Sequence, residues 1–302
     1  MTADINFSGS VPQNYDTFLG PILFEPFAKD LVKRVNEKEV QKVLELACGT
    51  GRVTHHLLNT LPAQVQLIAT DLNSDMMTVA KSRIIDERVI WQEVDAQDLP
   101  YNEKEFDLIV CQFGVMFFEE KLRAFKEANR VLKEGGVFFF NTWDKVENNM
   151  LSNLTQQVLL ELIKEDPPLF FEKGPFSFHD QEHIRQILKE AGFKKNTLSV
   201  VQIETESTDI DSMIKGILDG SPLTNYLQQV NAPQQQIRDR LKQLIQENLY
   251  TRLPMQAIVC EALNKNNLSC LLSIQGCSSK STSTPIFASL KKQMIILNNS
   301  AI

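Results

Sequence analysis

The chain of 302 residues contains few of the residues that characterise several protein classes. Its cysteines number only five, at positions 48, 111, 260, 270 and 277, and none belongs to a CxxC pair. The first three lie inside apolar runs, so the pattern predicts buried thiols in a reducing compartment instead of a disulfide framework. Glycine and proline number 12 each, too few for a collagen-like or low-complexity chain.

Long apolar runs and a leader pattern are also absent from the sequence. No stretch approaches the roughly 18 consecutive apolar residues that a membrane-spanning helix requires. The N-terminal residues, MTADINFSGS, have neither the basic start nor the apolar centre of a signal peptide. The sequence therefore predicts a cytoplasmic protein with no integral membrane segment.

Basic residues are also fewer than acidic ones: 31 Lys and Arg stand against 38 Asp and Glu, which gives a net charge of −7. All of the acidic residues precede residue 264, so this part is more acidic than the whole chain. Proteins that bind phosphate backbones do so mainly with Lys and Arg, which release counterions. Nucleic acid is therefore a disfavoured ligand, and a small molecule is the expected one.

Short apolar runs alternate with amphipathic segments over the first 150 residues. Five strands are predicted, at 42–47, 65–70, 89–94, 106–113 and 137–143. Helices are predicted at 26–37, 52–59, 74–83 and 119–132, the last of them stopped by Gly135-Gly136. This alternation is typical of an α/β fold with a mostly parallel, doubly wound sheet.

Beyond residue 145 the pattern loosens. Helices are predicted at 147–164 and 180–191, and strands at 196–204 and 255–262 complete a seven-stranded sheet. The Gln-rich segment 205–254 has too few apolar residues for a core of its own, so we expect a helical cap inserted between the last two strands. We expect one domain at 1–263 and a disordered tail at 264–302, where Ser, Asn and Lys dominate.

The segment Glu45-Leu-Ala-Cys-Gly-Thr-Gly51 follows the first predicted strand. Its two glycines allow a tight turn and a close approach of the backbone to a ligand. No Gly-Lys-Ser/Thr follows, which excludes a Walker phosphate loop. A dinucleotide loop needs Gly or Ala three residues after Gly51, where Thr54 stands. The loop alone leaves a dinucleotide, another ligand and a plain structural turn open.

Acidic residues at three strand ends narrow this choice. Asp71 ends the second strand, 20 residues after Gly51, where a carboxylate can hold a ribose diol. Asp95 ends the third strand, and Glu45 precedes the glycine loop. Asp71 fits both a nicotinamide and a nucleoside ligand. Because like charges repel, the negative charge of Glu45 beside the glycine loop disfavours a pyrophosphate and favours a ligand with ammonium and sulfonium groups. The charge pattern therefore indicates S-adenosylmethionine as the cofactor instead of NAD.

Five segments in order resemble the successive motifs of class I S-adenosylmethionine-dependent methyltransferases. They are VLELACGTG at 43–51, TDLNSDM at 70–76, DAQDLP at 95–100, FDLIV at 106–110 and RVLKEGG at 130–136. Within that superfamily the chain is most similar to the small-molecule (type 11) group that includes the ubiquinone and menaquinone biosynthesis methyltransferases. Residues 14–21 and 175–180 also resemble that group. The resemblance covers about residues 12–262 and implies methyl transfer to O, C or N of a small organic acceptor.

The resemblance also implies which residues bind the methyl donor. Those that would lie near its methionine portion, amine and sulfur are Glu45, Ala47, Gly49, Gly51, Gln112 and Phe113. Those that would bind its adenosine are Asp71 at the ribose hydroxyls, Leu72 on the ring, and Asp95 with the Ala96 N–H at the adenine edge. Ala47 stands where the family most often has glycine.

A catalytic base is not assigned by the resemblance. His179 is a candidate substrate contact or general base, and it lies four residues before His183. Two histidines without a third ligand do not predict a metal site, so none is expected. Tyr15 and Phe18, which precede the first predicted helix, are candidates for closing the site over the donor.

Two other functions remain open at this level. One is a nonenzymatic protein that binds S-adenosylmethionine, and the other is a nicotinamide-dependent oxidoreductase, which Thr54 and Glu45 disfavour. The sequence does not select the acceptor, the atom that is methylated or the oligomeric state.

Overall fold

The computed structural model describes residues 7–35, 40–163, 170–206, 209–248 and 252–264. Strands in this part of the chain form one sheet: β1 (Lys42–Leu46), β2 (Gln66–Asp71), β3 (Val89–Glu93), β4 (Phe106–Gln112), β5 (Leu132–Trp143), β6 (Lys195–Glu206) and β7 (Arg252–Leu263). Their order is β3-β2-β1-β4-β5-β7-β6. Strands β1 to β5 pair in parallel, and β7 pairs antiparallel with both β5 and β6. The predicted α/β fold with a mostly parallel, seven-stranded sheet is confirmed.

Helices connect these strands. They are α1 (Val11–Asn14), α2 (Glu25–Lys33), α3 (Arg52–Thr60), α4 (Ser74–Arg83), α5 (Lys121–Val131), α6 (Met150–Leu162), α7 (Phe170–Lys173), α8 (Gln181–Glu190), α9 (Ile210–Asp219), α10 (Leu223–Gln229) and α11 (Gln234–Asn248). A π-helix, Tyr15–Phe24, joins α1 to α2. Within the described ranges, no helix combines the length and the apolar character that crossing a membrane requires.

The central strands explain where the ligand site lies. Ile109, Val110 and Cys111 of β4 have no exposed surface, because helices cover both faces of the sheet. Since β1 to β5 are parallel, their carboxyl ends meet at one edge. In the sheet, β1 lies between β2 and β4. The connections after β1 and after β3 therefore run in opposite directions, which opens a crevice at that edge.

The N-terminal helices differ from the prediction. The helix predicted at 26–37 is α2, which ends at Lys33, and two helical segments precede it from Val11 onward. The apolar spacing did not reveal them because a π-helix bonds five residues ahead, which departs from the 3.6-residue period, and Pro21 lies inside it.

The start of β5 also differs from the prediction. The helix predicted at 119–132 ends at Val131, and β5 begins immediately at Leu132, so both glycines lie in the strand. Gly135 has a φ of 84°, and the pairing of β4 with β5 shifts register between Phe106 and Leu108. The left-handed glycine therefore accommodates an irregularity in the strand and does not stop the helix.

Helices α9, α10 and α11 lie between β6 and β7, in the segment predicted as a cap. The backbone of α9 closely approaches the π-helix. A Cβ atom at Gly216 would lie 2.9 Å from a side-chain carbon of Leu19, and one at Gly220 would lie 2.8 Å from the backbone nitrogen of Tyr15. The predicted tail at 264–302 lies outside the described residues, apart from Asn264.

Candidate active site

A cavity of about 470 Å³ opens at the carboxyl edge of the parallel strands. One part of its lining comes from the loops after β1, β2, β3 and β4, and we name it the strand-end half; it includes Ala47, Gly49, Asp71, Leu72, Asp95 and Gln112. The other part comes from residues 7–24 and from lining residues after position 140, and we name it the aromatic half; it includes Tyr15, Phe24, Trp143, Phe170, Phe171 and Phe176. The cavity therefore joins a polar wall to an apolar one.

The loop after β1 takes an unusual backbone conformation. Ala47 has a φ of 51°, and Gly49 and Gly51 have φ values of 55° and 80°. A non-glycine residue in this left-handed region costs on the order of 1 kcal/mol or more, which explains why the related family prefers glycine at the position of Ala47. A Cβ atom at Gly114 would lie only 2.5 Å from the Cβ of Ala47. Gly114 therefore leaves the space that the methyl group of Ala47 occupies.

Asp71, at the end of β2, holds this loop in place. Its Oδ2 accepts a hydrogen bond from the Gly49 N–H at 2.7 Å, and its Oδ1 accepts one from the Asn73 N–H at 2.8 Å. Burial raises the pKa of the carboxyl above its ordinary value, although the backbone hydrogen bonds oppose that shift. Leu72, the next residue, is 66% exposed at the cavity mouth, so an apolar surface is available to a ligand.

Asp95 and Ala96 follow β3 and line the same half of the cavity. The Oδ1 of Asp95 accepts hydrogen bonds from the backbone N–H of Gln97 at 2.8 Å and from the side-chain amide of Gln97 at 3.1 Å. These bonds orient the carboxylate at the end of its strand. The structure thus brings the acids of the β2 and β3 ends to one wall, as predicted.

Glu45 differs from the expectation that it adds negative charge beside the loop. Its side chain is 2% exposed, and its Oε2 accepts a hydrogen bond from the Thr54 hydroxyl at 2.6 Å. Burial raises the pKa of this carboxyl to about 8. Burial thus favours the protonated form of Glu45, which removes the basis of the charge argument that the sequence analysis made from this residue.

Gln112 and Phe113 end β4 and line the cavity. The Gln112 amide donates to the Phe24 carbonyl at 3.3 Å, while its Oε1 is buried and has no partner among the described residues. Phe113 has a φ of 49°, and its ring stacks on Trp143 with centroids 3.9 Å apart. Gln112 thus offers an unused hydrogen-bond acceptor at the junction of the two halves.

A smaller cavity of about 30 Å³ adjoins the main one at Gly49 and Gln112. Its walls also include Tyr15, Phe24, Glu45, Thr50 and Arg52. Its volume suits a group of one or two water-sized units.

The N-terminal segment covers both cavities. The Tyr15 ring stacks on Phe24 with centroids 4.6 Å apart, and burial raises the pKa of its hydroxyl. Tyr15 thus lines both cavities. Phe18 does not line either cavity; its ring lies 4.6 Å from the Lys215 ammonium of α9.

His179 does not line either cavity. Its Nδ1 donates a hydrogen bond to the Phe176 carbonyl at 2.7 Å. His183 lies in the first turn of α8, which is capped by the Asp180 carboxylate. Across the described residues, no group of three or more His, Cys, Asp or Glu side chains is arranged to hold a metal ion.

Sequence reasoning did not single out several residues that the structure brings to the site. Phe24 and Arg52 were not predicted as site residues because nothing in their local sequence pattern marks them as functional. Phe171 lies in a segment without a sustained period, and Phe176 lies in residues 175–180, whose resemblance to the methyltransferase group does not indicate a role for this ring. Trp143 ends a predicted strand. Since the carboxyl ends of the parallel strands border the cavity, its position was the one feature of the sequence that could have indicated a place at the site.

Comparisons with known proteins agree with this architecture. A family model described as a methyltransferase domain matches residues 44–140. A ubiquinone/menaquinone biosynthesis C-methyltransferase of Chromobacterium violaceum is 32% identical over 164 residues, which cover 51% of this chain and 67% of that protein. One of Neisseria meningitidis is 28% identical over 221 residues, covering 69% of this chain and 88% of that protein.

Solved structures share the fold. Phosphoethanolamine N-methyltransferase 2 of Haemonchus contortus, solved with S-adenosyl-L-methionine, has a TM-score of 0.55 at 16% identity, with 83% of this chain and 56% of that chain covered. The YcgJ protein of Bacillus subtilis has a TM-score of 0.54 at 16% identity, with 80% and 98% covered.

The chain therefore belongs to the S-adenosylmethionine-dependent methyltransferase family that includes the ubiquinone/menaquinone biosynthesis C-methyltransferases. It is a methyltransferase of the small-molecule type, and its cofactor is S-adenosylmethionine. The predicted family, enzyme class and cofactor are confirmed.

Proposed function

We propose that the strand-end half binds S-adenosylmethionine with the residue roles implied by the resemblance. Asp71 would hold the ribose hydroxyls, Leu72 would pack on the adenine, and Asp95 with the Ala96 N–H would bind the adenine edge. The buried, unpartnered Oε1 of Gln112 supports a place for the donor's ammonium near Phe113. The lining of this half carries carboxylates and, among the described residues, no Lys, Arg or His. That charge pattern fits a cationic donor and disfavours a pyrophosphate.

When bound, S-adenosylmethionine supplies a methyl group on a positively charged sulfur. The protein contributes alignment, which can be worth about 7–11 kcal/mol in favourable cases. Tyr15 and Phe24, stacked above the loop after β1, shield that region from water. Ala47 and Phe113, which follow the ends of β1 and β4 in the same region, both have left-handed backbone conformations.

The acceptor in this proposal is an uncharged, apolar molecule with an aromatic ring, of the phenol or quinol class. The observation that carries it is the aromatic half, whose described lining residues include no Asp, Glu, Lys, Arg or His. An anionic acceptor would lose its hydration there without gaining a partner, which costs several kcal/mol. The names of the relatives, which are biosynthesis C-methyltransferases of ubiquinone and menaquinone, support a quinol.

A ring carbon is the atom that this proposal assigns as the methyl acceptor. The polar groups of the aromatic half are largely engaged: Asn149 donates to the carbonyls of Lys145 and Gln256, and the Ser221 hydroxyl donates to the Ile217 carbonyl. An electron-rich quinol ring attacks without prior removal of a proton by a side chain. As the new carbon–carbon bond forms, the bond between sulfur and methyl would break and its electron pair would stay on the neutral thioether. The ring proton would then leave through the cavity mouth to the solvent.

The test compares two acceptors that differ in one charge. The full chain is incubated with methyl-labelled donor and either a 2-alkyl-1,4-naphthoquinol or its analogue with a carboxylate on the alkyl group. The proposal predicts that kcat/KM is at least about tenfold higher for the uncharged quinol, with the label on carbon. A preference for the carboxylate, or label found only on oxygen, would contradict it.

A further inference from the structure

Arg52 is the only cationic side chain among the described residues that line either cavity. It is the first residue of α3, directly after Gly51, and it is 9% exposed. The donor carries one negatively charged group, the carboxylate of its amino-acid end. A buried guanidinium is a strong partner for a carboxylate because it is always charged and presents a planar set of N–H groups.

The N-terminal segment holds this guanidinium in a fixed place. Its Nη2 donates to the Asp16 carbonyl at 2.5 Å and to the Asp16 Oδ1 at 3.0 Å, and its Nη1 donates to Glu25 Oε2 at 3.1 Å. A Cβ atom at Gly20 would lie 1.9 Å from Nη2, so only glycine leaves room for the group there. Arg52 is therefore positioned before any ligand arrives.

The Nε–H of this guanidinium is unused. The Nε of Arg52 is buried and has no hydrogen-bond partner among the described residues. A buried donor without a partner costs about 1–3 kcal/mol, which a ligand atom can recover. Gln112, in the wall of the same small cavity, has a buried and unpartnered acceptor in its Oε1.

These two unpartnered atoms match the two charged groups on the α-carbon of an amino acid. We propose that Arg52 binds the carboxylate of the donor's amino-acid end. The neighbouring ammonium would donate a hydrogen bond to the Oε1 of Gln112. The neighbouring charges permit this. Asp16 is shared between Arg52, Arg83 and the Thr50 hydroxyl. Glu25, the other carboxylate on Arg52, is shared with Lys29 and His56, so neither carboxylate pairs with Arg52 alone. The inference concerns the donor and does not depend on which acceptor is methylated.

The test uses a pair of ligands that differ in the amino-acid end. S-adenosylhomocysteine carries the amino and carboxylate groups, whereas 5′-methylthioadenosine lacks both. Calorimetric titration of the full chain gives both dissociation constants for the wild type and for Arg52→Met. The proposal predicts that Arg52→Met weakens S-adenosylhomocysteine binding about 10- to 100-fold and changes methylthioadenosine binding by less than about threefold. An equal loss for both ligands, or no loss for either, would overturn it.

Three further variants separate recognition from structural support. Arg83→Met removes the other cation on Asp16 but does not touch the cavity, so we expect both affinities to change equally. Gly20→Ala displaces the guanidinium and should reproduce the selective loss. Arg34→Met removes an arginine that pairs with Asp30 at the end of α2 and should change neither affinity. If Arg52→Met does not fold, Arg52→Gln takes its place, because it also removes the charge, and a preference for S-adenosylhomocysteine that stays at the wild-type level would contradict the proposal.

Discussion

The two halves of the cavity are built in different ways. The strand-end half comes from short loops that directly follow parallel strands, so its residues recur at regular intervals along the chain. The aromatic half gathers residues 7–24, the end of β5 and four later segments, and its rings meet only through tertiary packing. The comparison indicates that backbone geometry and charge define the strand-end half, whereas packing defines the aromatic half.

The halves also differ in what a substitution would disturb. The centroid of the Trp143 ring lies 3.9 Å from that of Phe113 and 5.9 Å from that of Phe176. The centroids of Phe171 and Phe176 are 6.1 Å apart. Each such pair contributes roughly 0.5–1.5 kcal/mol beyond its buried area. The wall of the aromatic half is therefore also part of the hydrophobic core, while the carboxylates of the strand-end half lie beside solvent-accessible space.

The largest effect is expected from Asp71→Ala. Loss of a carboxylate that bonds a ribose diol removes two charge-assisted hydrogen bonds worth about 1.5–3 kcal/mol each. We expect S-adenosylhomocysteine affinity to fall roughly 1,000-fold in calorimetric titration, with fluorescence-detected acceptor binding unchanged. The control is Asp75→Ala, an exposed acid in the first turn of α4. Equal losses in the two variants would refute a specific role for Asp71.

Phe171→Ala tests the other half. This side chain is 2% exposed, and its truncation should cost about 3–5 kcal/mol of unfolding free energy. We also expect KM for an apolar acceptor to rise about tenfold while the donor affinity stays constant. Phe193→Ala, which truncates a buried ring outside the cavity, is the matched control and should lower stability alone. A rise in KM in both variants would mean that stability, not contact, sets acceptor binding.

The Glu45→Gln variant tests whether the Glu45 carboxyl is protonated in the folded chain. Its folded pKa of about 8 lies above the ordinary value of 4.5, so between these limits the unfolded chain is ionised while the folded chain holds the proton. The stability of the wild type therefore falls by about 1.4 kcal/mol for each pH unit of increase in this range. Between pH 6 and pH 7.5, denaturant unfolding should show the wild type losing roughly 2 kcal/mol relative to Glu45→Gln. A pH-independent difference would show that Glu45 is already charged.

The smallest effect is expected from His179→Ala. Because this side chain does not line the cavity, turnover should remain within about threefold of the wild type at saturating acceptor. Loss of its hydrogen bond to the Phe176 carbonyl should lower the unfolding free energy by about 1 kcal/mol. A large drop in kcat with a shifted pH profile would restore His179 as a candidate base.

The sequence predicted the donor half well because its signals are local. Asp71 and Asp95 each end an apolar strand, and Gly49 and Gly51 lie in one short turn, so spacing alone brings them to one edge of the sheet. The space that Gly114 leaves for Ala47 could not be predicted, since the two residues belong to different strand ends.

The aromatic half and the N-terminal segment were predicted least well. Trp143, Phe171 and Phe176 are separated along the chain, and each alone looks like an ordinary core residue. The π-helix has no signature in a pattern search based on a 3.6-residue period. Arg52 was overlooked because its partners, Asp16 and Glu25, lie about 30 residues earlier, in helices that the pattern did not delimit.

The most direct test of the division into two halves is a crystal structure of the full chain with S-adenosylhomocysteine. We expect the ribose oxygens within about 2.5–3.2 Å of the Asp71 carboxylate and the adenine beside Leu72 and Asp95. No ligand atom should contact Phe170 or Phe171. A nucleoside bound among those rings, with Asp71 free of ligand contacts, would contradict the account.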